Sequence, residues 1–189
     1  MTSHLTLPRY SKGEEIANSI THGIGIVLSI AGLAVLTAFA SLFGTVWHIV
    51  SCSIYGATQI MLYTASTLYH SIPLPRARRV LRVFDHIAIF LLIAGTYTPF
   101  TLVNLRGPWG WSIFGLVWAL AVTGIVLQIF LIRQKPIWTA IPYIAMGWIA
   151  IVGIKPMLDY IAPGGVVLLF AGGMSYTCLL YTSPSPRDS

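Results

Sequence analysis

The sequence predicts an all-α protein, a polytopic bundle of transmembrane helices. Three observations carry that prediction. Only 8% of the 189 residues are charged and 56% are hydrophobic, where an ordinary soluble domain carries about 25% charge. The mean hydropathy is +0.80. The charges are also confined. Residues 16–75 form a run of 60 without Asp, Glu, Lys or Arg, and further uncharged runs cover 86–105, 107–132, 136–154 and 160–186. A membrane helix needs about 20 mostly apolar residues. This pattern excludes a soluble enzyme, a disordered tail and a disulfide scaffold. Two cysteines, Cys52 and Cys178, are too few for such a framework, and Cys52 reads as a small buried hydrophobe. The first apolar stretch is too long for a signal-peptide core and lacks an early small-residue cleavage site, so no cleaved signal is expected.

The 60-residue run must fold back once, and Gly44 supplies the turn. That predicts helix 1 over 17–42 and helix 2 over 45–70. Pro73 and Pro75 stop helix 2. Helix 3 is expected over 80–103 with a kink at Pro99, and helix 4 over 109–132 after the Asn104-Leu105-Arg106-Gly107-Pro108 turn. Helix 5 follows over 137–154 and helix 6 over 166–181. Residues 1–177 read as one transmembrane domain.

Basic residues orient the bundle. With the N-terminus inside, the inner segments hold Arg9, Lys12, Arg76, Arg78, Arg79, Arg82, Arg133 and Lys135, eight in all. The outer segments hold two, Arg106 and Lys155. Lys and Arg collect on the cytoplasmic side, so the N-terminus is expected to be cytoplasmic. The arginines between helices 2 and 3 also suit anionic headgroups. Trp47, Trp109 and Trp111 fall at the outer boundary and Trp138 at the inner one. The net charge of +6 is explained without a nucleic-acid partner; membrane lipids are the expected one.

Ionisable groups in a bilayer are costly and mark function by default. Glu15, Asn18 and His22 are spaced by three and four, so they share a helical stripe. Ser66 and His70 are four apart. Asp85 lies just inside helix 3, followed by His86. The topology places all three groups at one depth, in the cytoplasmic leaflet, where they converge as a candidate site. Imidazole and carboxylate suit a divalent metal, zinc first, with an open position for water. Ser66 would orient His70 or hydrogen-bond a substrate. Blander roles stand beside these. Glu15 would cap the first turn. Asn18, His22 and Gln128 would be interhelical hydrogen bonders. Asp85 would pair with Arg82 or Arg79. His86 lies about 100° around the helix from Asp85, which sets it off the same ion. Gly23, Gly25 and Gly32 read as close-packing positions.

These residues resemble a family. Glu15, Asn18 and His22 match the E-x-x-N-x-x-x-H pattern of the hemolysin III proteins, relatives of the progestin and adipoQ receptors. Ser66 and His70 match their S-x-x-x-H pattern. Asp85-His-Ile-Ala-Ile-Phe, with Ala94-Gly-Thr-Tyr-Thr-Pro99, looks like their third helix, and Gly172-Gly-Met-Ser-Tyr-Thr177 like the start of their sixth-helix motif. The resemblance implies a seven-helix bundle, of which six helices are expected here, in a bacterial inner (plasma) membrane. It implies a zinc site with His70 as ligand, Asp85 and Ser66 beside the zinc-bound water as catalytic residues, and the Glu15, Asn18, His22 stripe as support. Eukaryotic relatives look like ceramide-cleaving amidases, which implies a zinc-dependent hydrolase of lipid amides. The hemolysin label implies membrane disruption or a channel instead, and a third implication is a zinc-containing sensor of membrane homeostasis. The family pattern continues into a seventh helix with H-x-x-x-H, which by the resemblance would supply the other two zinc ligands; no histidine follows His86 here, so the zinc site is expected to be incomplete in this chain. The closing residues 178–189 look like a translated sequencing adapter, so the natural chain is expected to run on past about Thr177.

Overall fold

The computed structural model describes residues 10–131, 137–149 and 163–182. Among them are six helices and no strand. Three of the helical segments, Lys12–Phe43, Pro75–Asn104 and Pro108–Phe130, are long and apolar enough to cross a bilayer. The chain is an all-α membrane bundle.

Helix α1 spans Lys12–Phe43, more than a turn earlier than the apolar onset at Ala17 suggests. The cause is local. Ser11 Oγ accepts from the Glu14 N–H at 3.3 Å, and Glu14 Oε2 accepts from the Ser11 N–H at 2.7 Å. This reciprocal capping box satisfies two otherwise orphaned donors. A helix of 32 residues is about 48 Å long, against a hydrocarbon core of about 30 Å. The excess length is room for tilt or for the polar first turns to reach beyond the hydrocarbon. Much of its surface is apolar and exposed, including Ile16, Ile20, Val27, Leu28, Phe39 and Phe43, which is the face a helix offers to acyl chains.

Helix α2 spans Val46–Ser71 and α3 spans Pro75–Pro99. The expected connection over 71–79 is shorter than that, Ile72 to Leu74. Pro73 lies outside both helices, but Pro75 begins the next one, because proline at N1 has no N–H to leave unpaired. After Pro99 the chain winds into a π-helical turn, Phe100–Asn104, with the Leu105 N–H donating to the Phe100 carbonyl at 2.9 Å. The missing proline N–H disturbs the ladder there and the wider turn re-pairs it.

Helices α4 (Pro108–Leu131), α5 (Ile137–Trp148) and α6 (Pro163–Thr182) follow. The predicted end of helix 5 at Ile154 lies outside the described residues, as do Arg9, Arg133, Lys135, Lys155 and the side chain of Trp138.

Packing follows chain order: α1 on α2, α2 on α3, α3 on α4, with α5 against α3 and α4. The core between α3, α4 and α5 joins Phe90, Ala94, Val117, Ala121, Tyr143 and Met146. Ala94 and Ala121 are fully buried, as expected where small residues let membrane helices approach. A Cβ at Gly124 would overlap the Phe90 ring, so this glycine sets the α3–α4 register. Of the three glycines read as close-packing, only Gly25 acts so: a Cβ there would lie 2.6 Å from Tyr63 Cδ1. Gly23 and Gly32 face open space.

Trp47 and Trp111 meet edge to face at 5.6 Å, and the Arg106 guanidinium lies 4.7 Å from the Trp47 ring centre. These groups mark one end of the bundle. The polar cluster marks the opposite end.

Candidate functional site

Three elements build the cluster: the first turns of α1, the last turns of α2 and the first turns of α3. Helices α1 and α2 are joined by a Ser71 to Ser19 hydroxyl bond of 3.2 Å. Helices α1 and α3 are joined by an ion pair and hydrogen bond between Arg78 and Glu15. Both side chains are mostly buried, 14% and 24% exposed. Arg78 also lies over the Tyr69 ring, 5.3 Å from its centre, a cation–π contact.

His70 sits among aromatic rings. Tyr69 meets it at 4.8 Å and Tyr10 at 5.5 Å, both edge on. The His22 ring of α1 stacks against it, with centres 6.2 Å apart and planes 14° apart. Tyr63 covers the other side of His22 at 5.8 Å. Asp85, His22, Arg78 and Glu15 all lie within electrostatic range of His70. Ser66, one turn before His70, is buried.

The structure therefore brings Glu15, His22, Ser66 and His70 to one end of the bundle, with Asp85 close enough to be felt by His70. Glu15 is not the cap of α1; Glu14 fills that role and leaves Glu15 to pair with Arg78. Asn18 is half-buried, and among the described residues its side chain makes no interhelical hydrogen bond. Asp85 Oδ2 lies 3.9 Å from His86 Nδ1, nearer than the helical angle between them suggests. His86 Nδ1 donates to the Arg82 carbonyl at 2.8 Å, which assigns the proton to that nitrogen. The His86 carbonyl in turn accepts from the Tyr143 hydroxyl at 3.0 Å. Gln128 is buried, yet its Nε2 has no hydrogen-bond partner, so that nitrogen is not the interhelical glue expected of it.

Tyr63, Tyr69 and Arg78 are the members that sequence reading misses. Tyr63 lies seven residues before His70, two turns along the same face. Arg78 lies seven before Asp85. Arg82, three before Asp85, shares that face, so spacing alone does not single out Arg78, and the orientation count treats all four arginines alike.

Two buried atoms bear on the metal question. His22 Nδ1 and His70 Nδ1 are both buried without a hydrogen-bond partner. Leaving such a group unsatisfied costs about 1–3 kcal/mol, so each nitrogen calls for a ligand. Imidazole nitrogen is a common metal donor. Among the described residues no three His, Cys, Asp or Glu side chains gather as a closed metal site. Of the residues at this end of the bundle, His70 is one that could offer a metal a nitrogen, through its unpartnered Nδ1.

A family model described as haemolysin-III related matches residues 10–188. A protein named Hemolysin-3 from Bacillus cereus is 46% identical over 177 residues, covering 94% of this chain and 81% of that relative. A Hemolysin-3 homolog from Bacillus subtilis (strain 168) is 45% identical over 164 residues, covering 87% of this chain and 77% of its own length. A more distant relative, the Monocyte to macrophage differentiation factor of Homo sapiens, is 27% identical over 172 residues, or 88% of this chain and 69% of its own. No solved structure matches the chain.

Proposed function

The chain belongs to the haemolysin-III-related family, and from that premise we propose that it is a zinc-dependent hydrolase of lipid amides, working in the cytoplasmic leaflet of a bacterial inner membrane. One observation carries the reading: His70, with its buried unpartnered Nδ1, lies one turn from buried Ser66 and within electrostatic range of Asp85. The count of eight basic residues against two supports a cytoplasmic N-terminus, which sets this end of the bundle at the inner surface.

In this reading His70 holds the metal. Zinc, when bound, supplies a Lewis acid that makes water nucleophilic near neutral pH. The chain's own residues do the rest. Ser66 Oγ–H donates to the carbonyl oxygen of the lipid amide and steadies the charge that grows there. Asp85 takes the proton of the water that adds to the carbonyl carbon, then passes it to the leaving nitrogen as the C–N bond breaks. The products are a fatty acid and an amine. Arg78, held between Glu15 and Tyr69, keeps α1 and α3 in place around the reacting groups.

The names of the two Bacillus relatives favour a second reading, membrane disruption. A pore needs a polar lining through the full depth. The buried hydroxyls Ser29, Ser51, Thr58, Thr98 and Thr101 instead each donate to a carbonyl of their own helix. They offer no wet stripe. Metal analysis of the purified protein, with N-acyl lipid hydrolysis in vesicles, tests the first reading. Zinc is expected in the wild type and lost in His70→Ala, and turnover is expected to fall at least about a hundredfold in Asp85→Ala. Zinc retained by His70→Ala would refute the ligand assignment. Dye leakage from liposomes without hydrolysis would favour the pore.

A further inference from the structure

Two features near the junction of α2 and α3 play no part in the site above. The first is a groove of about 550 Å³, lined along its length by α2 from Ala57 to Leu68, with Leu33 of α1 and Leu81 and Phe84 of α3. Its walls are almost wholly apolar. It opens outward, where Leu68 is 42% and Phe84 57% exposed. Successive helical residues turn by about 100°, so Ser66 and His70, each two positions from Leu68, fall on the opposite side of α2. The second feature is charge. Of the arginines that open α3, Arg78 is taken by Glu15, but Arg76 and Arg79 are exposed. Among the described residues no acid pairs with these two: Glu14 closes the capping box, Glu15 holds Arg78, and Asp85 lies beside His86. Arg79 only turns its Nε–H back to the Pro75 carbonyl at 3.4 Å. Arg76, Val80 and Phe84 are four apart, one stripe down α3, which leads from a free cation into the groove.

We propose that this groove is a resident-lipid site, which holds one acyl chain of an anionic phospholipid with its phosphate on Arg76 and Arg79. Length supports the match. From Ala57 to Leu68 the groove runs about 17 Å along α2, close to the depth of one leaflet's hydrocarbon, about 15 Å. Depth supports it as well. Arg76 precedes Leu81 by about 8 Å along α3, so a chain lying in the groove brings its headgroup level with the two free guanidinium groups. Charge selects the lipid, because basic residues at the boundary attract anionic headgroups. An apolar groove facing a bilayer is filled by acyl chain or forfeits its packing contacts. The bound chain touches α1, α2 and α3 together, so it stabilises the packing of the three helices that carry Glu15, His70 and Asp85. The lipid site shares no residue with the hydrolase reading and stands apart from it.

Native mass spectrometry of the full chain in mild detergent tests this, by titration with phosphatidylglycerol and with phosphatidylcholine of the same acyl chains. Phosphatidylglycerol is expected to bind at least about tenfold more tightly. Arg76→Gln should weaken it about fivefold, and Arg76→Gln with Arg79→Gln about 25-fold. Lys12→Gln removes one charge from the same end of the bundle and should leave binding unchanged. Equal affinity for the two lipids, or equal losses in Lys12→Gln and Arg76→Gln, overturns the proposal. Thr64→Phe fills the middle of the groove and should weaken phosphatidylglycerol at least about fivefold; undiminished binding overturns the acyl-chain assignment. Glycerol phosphate is expected not to displace the lipid, and displacement would make this a site for free phosphate and overturn the proposal. Photocrosslinking with a phosphatidylglycerol that carries a diazirine on its acyl chain carries the test on the unaltered sequence, independent of how a variant folds. Crosslinks are expected between Ala57 and Leu68 and at Phe84. Labelling spread evenly onto exposed residues of α1 such as Val27 and Phe39 would show bulk lipid only and overturn the proposal.

Discussion

Replacing Glu15 with Gln isolates the contact that joins the first helix to the third. Arg78 is 14% exposed and Glu15 24%, so the pair is neither buried like a core residue nor freely solvated. At an effective dielectric of about 20, two unit charges at about 4 Å attract by about 4 kcal/mol. Desolvation offsets part of this, and breaking a fully buried pair from one side costs about 3–5 kcal/mol. The partial exposure, and the Tyr69 ring that still holds the guanidinium, bring the expected loss to about 2–3 kcal/mol. For a chain of this size that is a fall of about 4–12 °C in melting temperature. Thermal unfolding in detergent, followed by size-exclusion chromatography of the surviving fraction, measures it. The exchange Glu15→Arg with Arg78→Glu should recover at least half the loss relative to either single reversal, because the charges then pair in the opposite sense. A Glu15→Gln chain that melts within about 1 °C of wild type, or a double exchange no more stable than either single, would refute the reasoning.

Two further predictions concern packing. Gly25→Ala should lower stability by about 1–3 kcal/mol, since its Cβ would press on Tyr63. Gly23→Ala, with open space around it, should be neutral or gain up to about 1 kcal/mol from helix propensity; the same thermal assay separates the two, and equal effects would count against the α1–α2 register. Gln128→Met should be at least as stable as wild type, because it removes a buried amide nitrogen that has no partner and keeps the volume. A melting temperature lowered by several degrees would mean that Gln128 Nε2 is satisfied after all.

Much of the site was legible as spacing. Glu15, Asn18 and His22 share a stripe, Ser66 and His70 share another, and charge counting sets both at one depth with Asp85. Other features were present in the sequence but needed a different question. Ser11 and Glu14 spell a capping box ahead of the long apolar run, and a search for apolar onset passes over it. Pro75 reads as a stop, though a proline without an N–H suits the first turn of a helix equally well. The spacing to Asp85 puts both Arg78 and Arg82 on one face, and the Glu15 partner on α1 is what distinguishes Arg78. Which glycine is crowded was not legible. Gly23, Gly25 and Gly32 look alike along the chain, and the Tyr63 ring of α2 distinguishes them.

What the sequence determined by itself was the class of solvent. Long uncharged apolar runs leave no choice but helices in a bilayer, because every backbone hydrogen bond must there be closed within its own segment. Depth followed from the same runs, since position along a helix is position across the membrane. What only the tertiary structure decided was rotation: which face of each helix meets which neighbour. That depends on side chains from separate segments fitting together, Tyr63 over Gly25, Phe90 over Gly124 and Arg78 on Glu15. The two orphaned imidazole nitrogens of His22 and His70 belong to that second kind of fact. Each histidine can be counted in the chain, but whether its nitrogen has a partner is settled only when the helices are packed.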